Sequence, residues 1–408
     1  MPGSDPATKL AVGGTYTITV LCTGSSMPTA LYADYARIFH LVPFGMTALF
    51  ASYVAAVVPT MMLCGSLSDA WGRRRTVLYG LCLSAAGSVM LATAAGPLQL
   101  FFGRLVQGSA LGMSTGATTA ALADGLSDRR AAALAAAGIS IGSAAGPLLS
   151  GVIAELAPEP LSYPFLVHLL LLIPAGVWLL TLPRQSQRLP WRPRRPSVPK
   201  EIRRPFAMAG CTVLLTWSLL GFFLSLAPSM MYELTPADRT TFAAGIVTLM
   251  LGAATLAESQ SARLSKRVAK TSGLAALASG ISMLMAAVIT RQPLIALIAA
   301  VVVGVGKGLA FAAALAEVTV IAPVEKRGEV LTTVYLIGYL ALAVPVLCIG
   351  LLAGHIGLLP SVLWFGAPTT VGCLILLWLT LRRSPSVAAN PRGAFSPGLG
   401  APPDSAEV

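Results

Sequence analysis

Apolar and polar positions alternate along this chain in long blocks rather than residue by residue. Twelve predominantly apolar segments stand out: 10–33, 43–67, 76–95, 98–123, 131–153, 163–182, 206–228, 240–257, 272–290, 293–316, 330–353 and 359–381. A hydrocarbon core of ~30 Å needs about 20 such residues per helix, so each block is long enough to span a bilayer. The period-2 alternation of a membrane barrel strand is absent, and the spans are therefore predicted as helices. The polar stretch 183–205 between the sixth and seventh segments is dominated by proline and arginine. Such a sequence cannot build a core and reads as a solvated basic linker. The predicted fold class is an all-α polytopic membrane protein of twelve transmembrane helices in two pseudo-symmetric six-helix bundles. The bundles cover 1–182 and 206–381, and a tail at 382–408, rich in Pro, Gly, Ala and Ser, is expected to be disordered.

Composition agrees. Hydrophobic residues make up 55% and charged residues 11% of 408, with mean hydropathy +0.77, which excludes an ordinary soluble domain or a disordered chain. The net charge of +12 reflects basic clusters between the apolar blocks, so nucleic acid is not the expected partner. Counted by the positive-inside rule with the N-terminus in the cytoplasm, 23 Lys and Arg fall inside and three (Arg37, Arg239, Arg291) outside. Both termini are therefore expected in the cytoplasm, in the inner (cell) membrane, with the first segment retained as a helix. The six cysteines lie in apolar stretches without a C-x-x-C pair, and neither a metal nor a disulfide is expected.

The halves resemble each other weakly. S-S-M-P-T-A-L-Y (25–32) is echoed by S-L-A-P-S-M-M-Y (225–232), and A-A-L-A-D (120–124) by A-A-L-A-E (313–317). The loop S-L-S-D-A-W-G-R (66–73) has the counterpart R-L-S-K-R-V-A-K (263–270). Parallel six-helix repeats are a transporter architecture, with the substrate site at the midplane between them.

Three motifs carry chemistry. The first is G-S-L-S-D-A-W-G-R-R-R, in which Gly65 and Gly72 allow a tight turn and Asp69, Arg73 and Arg74 supply charge at the inner surface. It resembles the signature loop of the major facilitator superfamily, and the resemblance extends over essentially the whole chain. It implies that Asp69 meets the start of helix 11 near Val330, at the positive end of that helix. It also implies that Arg73 pairs with Asp124 and that both contacts lock the cytoplasmic side. Glu317 would mirror Asp124 as a gate acid. The second-half copy has Lys266 in place of the acid and Ala269 in place of the glycine, which argues against a symmetric gate.

The second motif, G-R-L-V-Q-G-S-A-L-G (103–112), resembles the family's R-x-x-Q-G sequence in helix 4. Arg104 lies about 9 Å in from the outer end by helical rise, either facing a cavity or snorkelling outward. The third, carried by Gly142, Gly146, Pro147 and Gly151 in helix 5 with Ser150 beside the last, resembles the antiporter motif of drug/proton exporters. Pro147 bends the helix and the glycines let a neighbour approach closely.

Lys307 lies about 21 Å into helix 10, where an ionisable group faces a cavity or pairs with an anion. It could bind an anionic substrate, titrate as a coupling site or pair with another helix. The spans hold no comparably deep acid, and Asp34, at the outer end of helix 1, is the carboxylate singled out for coupling. Tyr32 in helix 1, Tyr53 in helix 2, and Trp217 and Tyr232 in helix 7 are further cavity candidates. His168 reads as a hydrogen-bonded packing residue. No H-E-x-x-H or other catalytic pattern points to an enzyme.

The expected function is proton-coupled efflux of a small organic molecule or drug by alternating access. Proton motive force would be the energy source, with no cofactor and a functional monomer. Uptake of a small organic anion is the alternative, suggested by two intramembrane cations without a deep acid.

Overall fold

A computed structural model describes residues 6–64, 67–182, 197–235, 240–323 and 326–382. Gly65, Ser66, the side chain of Asp69, most of the predicted linker and the tail after Arg382 lie outside the described residues. Among the described residues there are fifteen α-helices and no strand. In order they are α1 (Pro6–Ser26), α2 (Pro28–Ile38), α3 (Pro43–Cys64), α4 (Leu67–Trp71), α5 (Arg73–Ala92), α6 (Pro97–Ala123), α7 (Asp128–Leu156) and α8 (Tyr163–Thr181). The second half contains α9 (Arg203–Ser225), α10 (Ala227–Leu234), α11 (Thr240–Ser261), α12 (Lys266–Thr290), α13 (Pro293–Ile321), α14 (Arg327–Ile356) and α15 (Leu358–Arg382). Setting aside the short α2, α4 and α10 leaves twelve helices, one for each predicted span.

Ten of the twelve are long and apolar enough to cross a membrane, which makes the chain a multi-pass membrane protein. The other two, α1 and α6, are rich in Gly, Ser and Thr. Most of their serine and threonine hydroxyls turn back onto carbonyls of their own helix, as Thr19 does to Thr15 at 2.9 Å and Thr118 to Ser114 at 2.9 Å. Such back-bonding satisfies a hydroxyl away from water without a neighbouring helix.

Two predicted spans are broken rather than continuous. The first runs as α1 and α2 with a break at Met27, and the seventh as α9 and α10 with a break at Leu226. Pro28 and Pro228 follow the breaks; each lacks an N–H and crowds the carbonyl four residues back. The tight turn between α4 and α5 is made by Gly72 at φ 91°, a backbone conformation that favours glycine.

Helix pairing is repeated between the halves. In the first, α1 packs on α6 and α7, α3 on α6, and α5 on α6 and α8; in the second, α9 packs on α13 and α14, α11 on α13, and α12 on α13 and α15. The halves meet where α7 packs on α11 and α3 on α14, two contacts related by the same exchange. Thr248 of α11 donates to the Ala144 carbonyl of α7 at 3.5 Å. An apolar cluster containing Met27, Leu31, Tyr32 and Phe50 takes in Leu342 and Val346 from the other half.

These interfaces are made by small residues. A methyl group on Gly138, Gly142 or Gly146 of α7 would collide with the carbonyls of Thr15, Thr19 and Thr23 of α1, a four-residue register maintained over three turns. Gly108 and Gly112 of α6 sit against the carbonyls of Tyr53 and Val57 of α3, and Gly304 and Gly308 of α13 against those of Met250 and Ala254 of α11. Lipid tails are as apolar as the helices, so association depends on close packing of this kind. Gly142→Ala is expected to destabilise the chain by about 1–3 kcal/mol through overpacking. Gly252→Ala, where a methyl meets open space, should not. Thermal unfolding in detergent checks the pair; equal midpoints for the two variants would contradict the packing argument.

Candidate functional site

Because Pro28 has no N–H, the Gly24 carbonyl one turn earlier loses its helical donor. Gln107 of α6 supplies the replacement, its Nε2 donating to that carbonyl at 3.0 Å. Arg104 takes the adjacent turn: its Nη1 donates to the Ser25 carbonyl at 2.7 Å and to Gln107 Oε1 at 2.9 Å. From α7, Ser150 Oγ donates to the Met27 carbonyl at 2.7 Å. The R-x-x-Q pair and the serine of the glycine–proline motif therefore hold the same broken turn of helix 1. Arg104 is only 1% exposed, which rules out the snorkelling alternative. Its guanidinium carbon lies 4.5 Å from the Tyr53 ring centroid and 6.0 Å from that of Tyr32, so aromatic faces contribute to its stabilisation. Gly151 is buried beside Ser150, and Pro147 lies inside the continuous helix α7.

The second half holds a different group. Lys307 Nζ lies 4.0 Å from Glu258 Oε2 of α11 and 5.3 Å from the Phe311 ring. Phe311 lies 5.8 Å from Trp217, which also contacts Tyr335 at 6.3 Å and Tyr339 at 5.1 Å. The expectation that no deep acid accompanies Lys307 is thus corrected. The apolar block ended at 257 because Glu258 opens the polar run E-S-Q, but the helix continues to Ser261 and turns Glu258 toward α13. The sequence carries no local signal for it, because only the packing of α11 on α13 brings the two groups together. Gly308 approaches the Glu258 backbone as Gly112 approaches that of Met61, which aligns the two segments.

At the end of the molecule where α5 and α12 begin, each half carries an ion pair. Arg73 Nε lies 3.4 Å from Asp124 Oδ2, and Arg73 Nη1 donates to Ser68 Oγ at 2.8 Å. Lys270 Nζ lies 2.6 Å from Glu317 Oε2. The expected asymmetry between the halves is therefore only partial. Lys266 and Ala269 depart from the motif, yet Lys270, at the position matching Arg73, meets Glu317 as Arg73 meets Asp124. In the first pair the carboxylate is half-exposed, and exposed pairs contribute about 0–1 kcal/mol. Arg74 is half-buried beside it.

The remaining candidates lie elsewhere. Asp34 forms an ion pair with Arg37 at 2.9 Å, and both line a cavity of about 390 Å³ with Ser229 and Tyr232, between α2 and α10. The candidates gather around Arg104, with Tyr32 and Tyr53, and around Lys307, with Trp217 through Phe311; Tyr53 and Trp217 pack against one apolar cluster that joins the two groups, while Asp34 and Tyr232 share the separate cavity. His168 is fully buried, its Nε2 against the Val20 carbonyl at 3.1 Å and its Nδ1 against Ser88 Oγ at 2.7 Å. A carbonyl only accepts, so Nε2 carries the proton and Nδ1 accepts from the serine, a closed packing arrangement.

The clamp on helix 1 makes a coupled prediction. Gln107→Leu leaves the Gly24 carbonyl without a donor and should cost about 1–3 kcal/mol, while Pro28→Ala restores a backbone N–H to it. The double variant is expected to recover stability relative to Gln107→Leu alone, measured by thermal unfolding; strictly additive losses would contradict the clamp.

Comparison with known proteins places this architecture. A family profile described as Major Facilitator Superfamily matches residues 14–289. A bacterial homolog of the human lysosomal transporter Spinster, in an inward-facing and occupied conformation, is similar with a TM-score of 0.71 at 15% identity, covering 93% of this chain and 97% of that one. The nucleoside transporter NupG gives a TM-score of 0.70 at 14% identity over 91% of this chain and 99% of that one. At such identities the likeness is one of fold. A triacylglyceride transporter of Mycolicibacterium smegmatis (strain ATCC 700084 / mc(2)155) is 35% identical over 79 residues, a match spanning 19% of this chain and 14% of that protein. With its profile match over most of the chain, its repeated helix pairing and its signature loop, this protein belongs to the Major Facilitator Superfamily of membrane transporters.

Proposed function

We propose that the chain is a proton-coupled exporter of a small organic molecule that works by alternating access, with the end bearing Arg73 and Lys270 in the cytoplasm. The observation that carries this reading is the seat of the glycine–proline face of α7. That face packs turn for turn on the broken helix α1, and the same helix meets α11 of the other half. A change in the hydrogen bonds of Arg104 or Gln107 at the break is thereby passed to an inter-half contact. Where Met27, Leu31 and Tyr32 pack with Leu342 and Val346, the halves are closed. The pairs Arg73–Asp124 and Lys270–Glu317 sit toward the other end and act as latches, and Asp69 of the same signature sequence is assigned the same role.

The excess of Lys and Arg on one face supports the orientation, and proton motive force drives the cycle of a monomer in the inner membrane. Asp34 is held by Arg37 beside its own cavity, so Glu258, facing Lys307, is the carboxylate better placed for coupling. That same carboxylate removes the ground for uptake of an organic anion, which rested on cations without a deep acid. The similar proteins are named for unlike cargoes, so the substrate is sought by experiment.

A thermal-shift screen of the purified chain against drugs, organic acids, amino acids and siderophore-like metabolites supplies a ligand. Everted vesicles made acidic inside are then expected to accumulate it, and Asp69→Asn is expected to reach the membrane without moving it. Proton-driven uptake of that ligand by intact cells contradicts export, and full activity of Asp69→Asn removes the latch role.

A further inference from the structure

The Glu258–Lys307 pair has no counterpart in the first half. Gly112 and Gly308 occupy matching places, each against the helix two positions earlier in the bundle, and in that register Met61 stands for Glu258 and Leu111 for Lys307. The scaffold is thus built without the pair in one half, and packing alone does not call for it in the other. Ionisable groups in the interior of a membrane protein are costly, and they mark ligand or ion sites by default.

The geometry separates this pair from the latch on the same helix. Lys270 and Glu317 are in hydrogen-bond contact at 2.6 Å, whereas Lys307 and Glu258 stand 4.0 Å apart with side chains 13% and 30% exposed. At 4.0 Å the ammonium and carboxylate attract each other without a direct hydrogen bond, and each keeps capacity for another partner. Beside them Phe311, Trp217, Tyr335 and Tyr339 form a continuous aromatic patch. The indole Nε1 of Trp217 is buried without a hydrogen-bond partner, and an indole N–H can only donate.

Electroneutrality then restricts the ligand. A monoanion on Lys307 would leave Glu258 uncompensated in a medium of low polarity, and a monocation on Glu258 would leave Lys307 so. A molecule carrying both charges satisfies the two ends at once, its carboxylate on Lys307 and its ammonium on Glu258. A ring attached to it would lie against the aromatic patch.

We propose that this pair, with Trp217 and Phe311, is the binding site for a small aromatic zwitterion of the amino-acid type. The proposal names the substrate class of the transporter and so rests on the reading of the chain as one, but not on the direction of transport.

The test uses full-length protein in detergent with L-tryptophan and L-phenylalanine as zwitterions, N-acetyl-L-tryptophan as the anion and L-tryptophan methyl ester as the cation. The zwitterions are expected to raise the unfolding midpoint, and the two singly charged compounds to leave it unmoved. This comparison needs no variant to fold. The double variant Lys307→Met/Glu258→Gln, which removes both charges together, is expected to keep the unliganded midpoint and lose the zwitterion shift. The proposal is overturned if no zwitterion stabilises the wild type, if the acetyl or methyl ester compound stabilises it equally, or if the double variant keeps the shift. Stabilisation by N-acetyl-L-tryptophan at acid pH alone also overturns it, in favour of an anion taken with a proton. Zwitterion binding without movement driven by a pH gradient in vesicles contradicts the export reading and leaves this site standing. Proton-driven export of another ligand with no zwitterion binding overturns this site alone.

Discussion

Inside a bilayer neither water nor a hydrophobic drive between helices is available, so the fold depends on close backbone approach and on internally satisfied backbone groups. Glycine stripes meet the first demand: Gly138, Gly142 and Gly146 of α7 against α1, Gly108 and Gly112 of α6 against α3, Gly304 and Gly308 of α13 against α11. The second demand is sharpest where a proline removes a donor. At Pro28 the chain opens a carbonyl deep in the molecule, and Gln107, Arg104 and Ser150 converge on that turn. The buried arginine and the glycine–proline helix are thus parts of one arrangement around helix 1.

The two halves share this scaffold and differ in what they mount on it. Gly87 of α5 lies against the backbone of Gln107, and Gly280 of α12 lies against that of Val303, so the helices are in matching register. In that register Ala300 stands for Arg104, Leu111 for Lys307 and Met61 for Glu258. The first half therefore presents a cation secured by the Ser25 carbonyl, a glutamine and tyrosine rings. The second presents a separated ion pair beside tryptophan. Common packing thus carries divergent polar groups in the two halves.

Spans, repeat and signature loop were legible in the sequence because each is a local pattern: long apolar blocks, basic clusters, glycines at fixed spacing. What was not legible depends on which side of a helix meets which neighbour. Glu258 reads as a segment edge because its sequence neighbours are polar, while its partner lies 49 residues further on. Asp34 was singled out for its place in helix 1, yet its guanidinium partner Arg37 is three residues away, at the end of the molecule. Pro28 and Arg104 were both visible, but only the packing of α6 on α1 shows that one answers the other. Lys270 stands opposite Arg73 in the loop comparison, but its acid partner Glu317 lies 47 residues further on, so the loop alone does not reveal the pair.

Alternating access, as proposed, requires the two halves to rock about the α7–α11 and α3–α14 contacts. Spin labels at Ala123→Cys and Ile321→Cys, the far ends of α6 and α13, in a background free of the six native cysteines, report the separation of the halves directly by electron double resonance. Two distance populations are expected, with a ratio that changes between neutral and acid pH. A single distance unchanged by pH and by bound ligand would contradict alternating access.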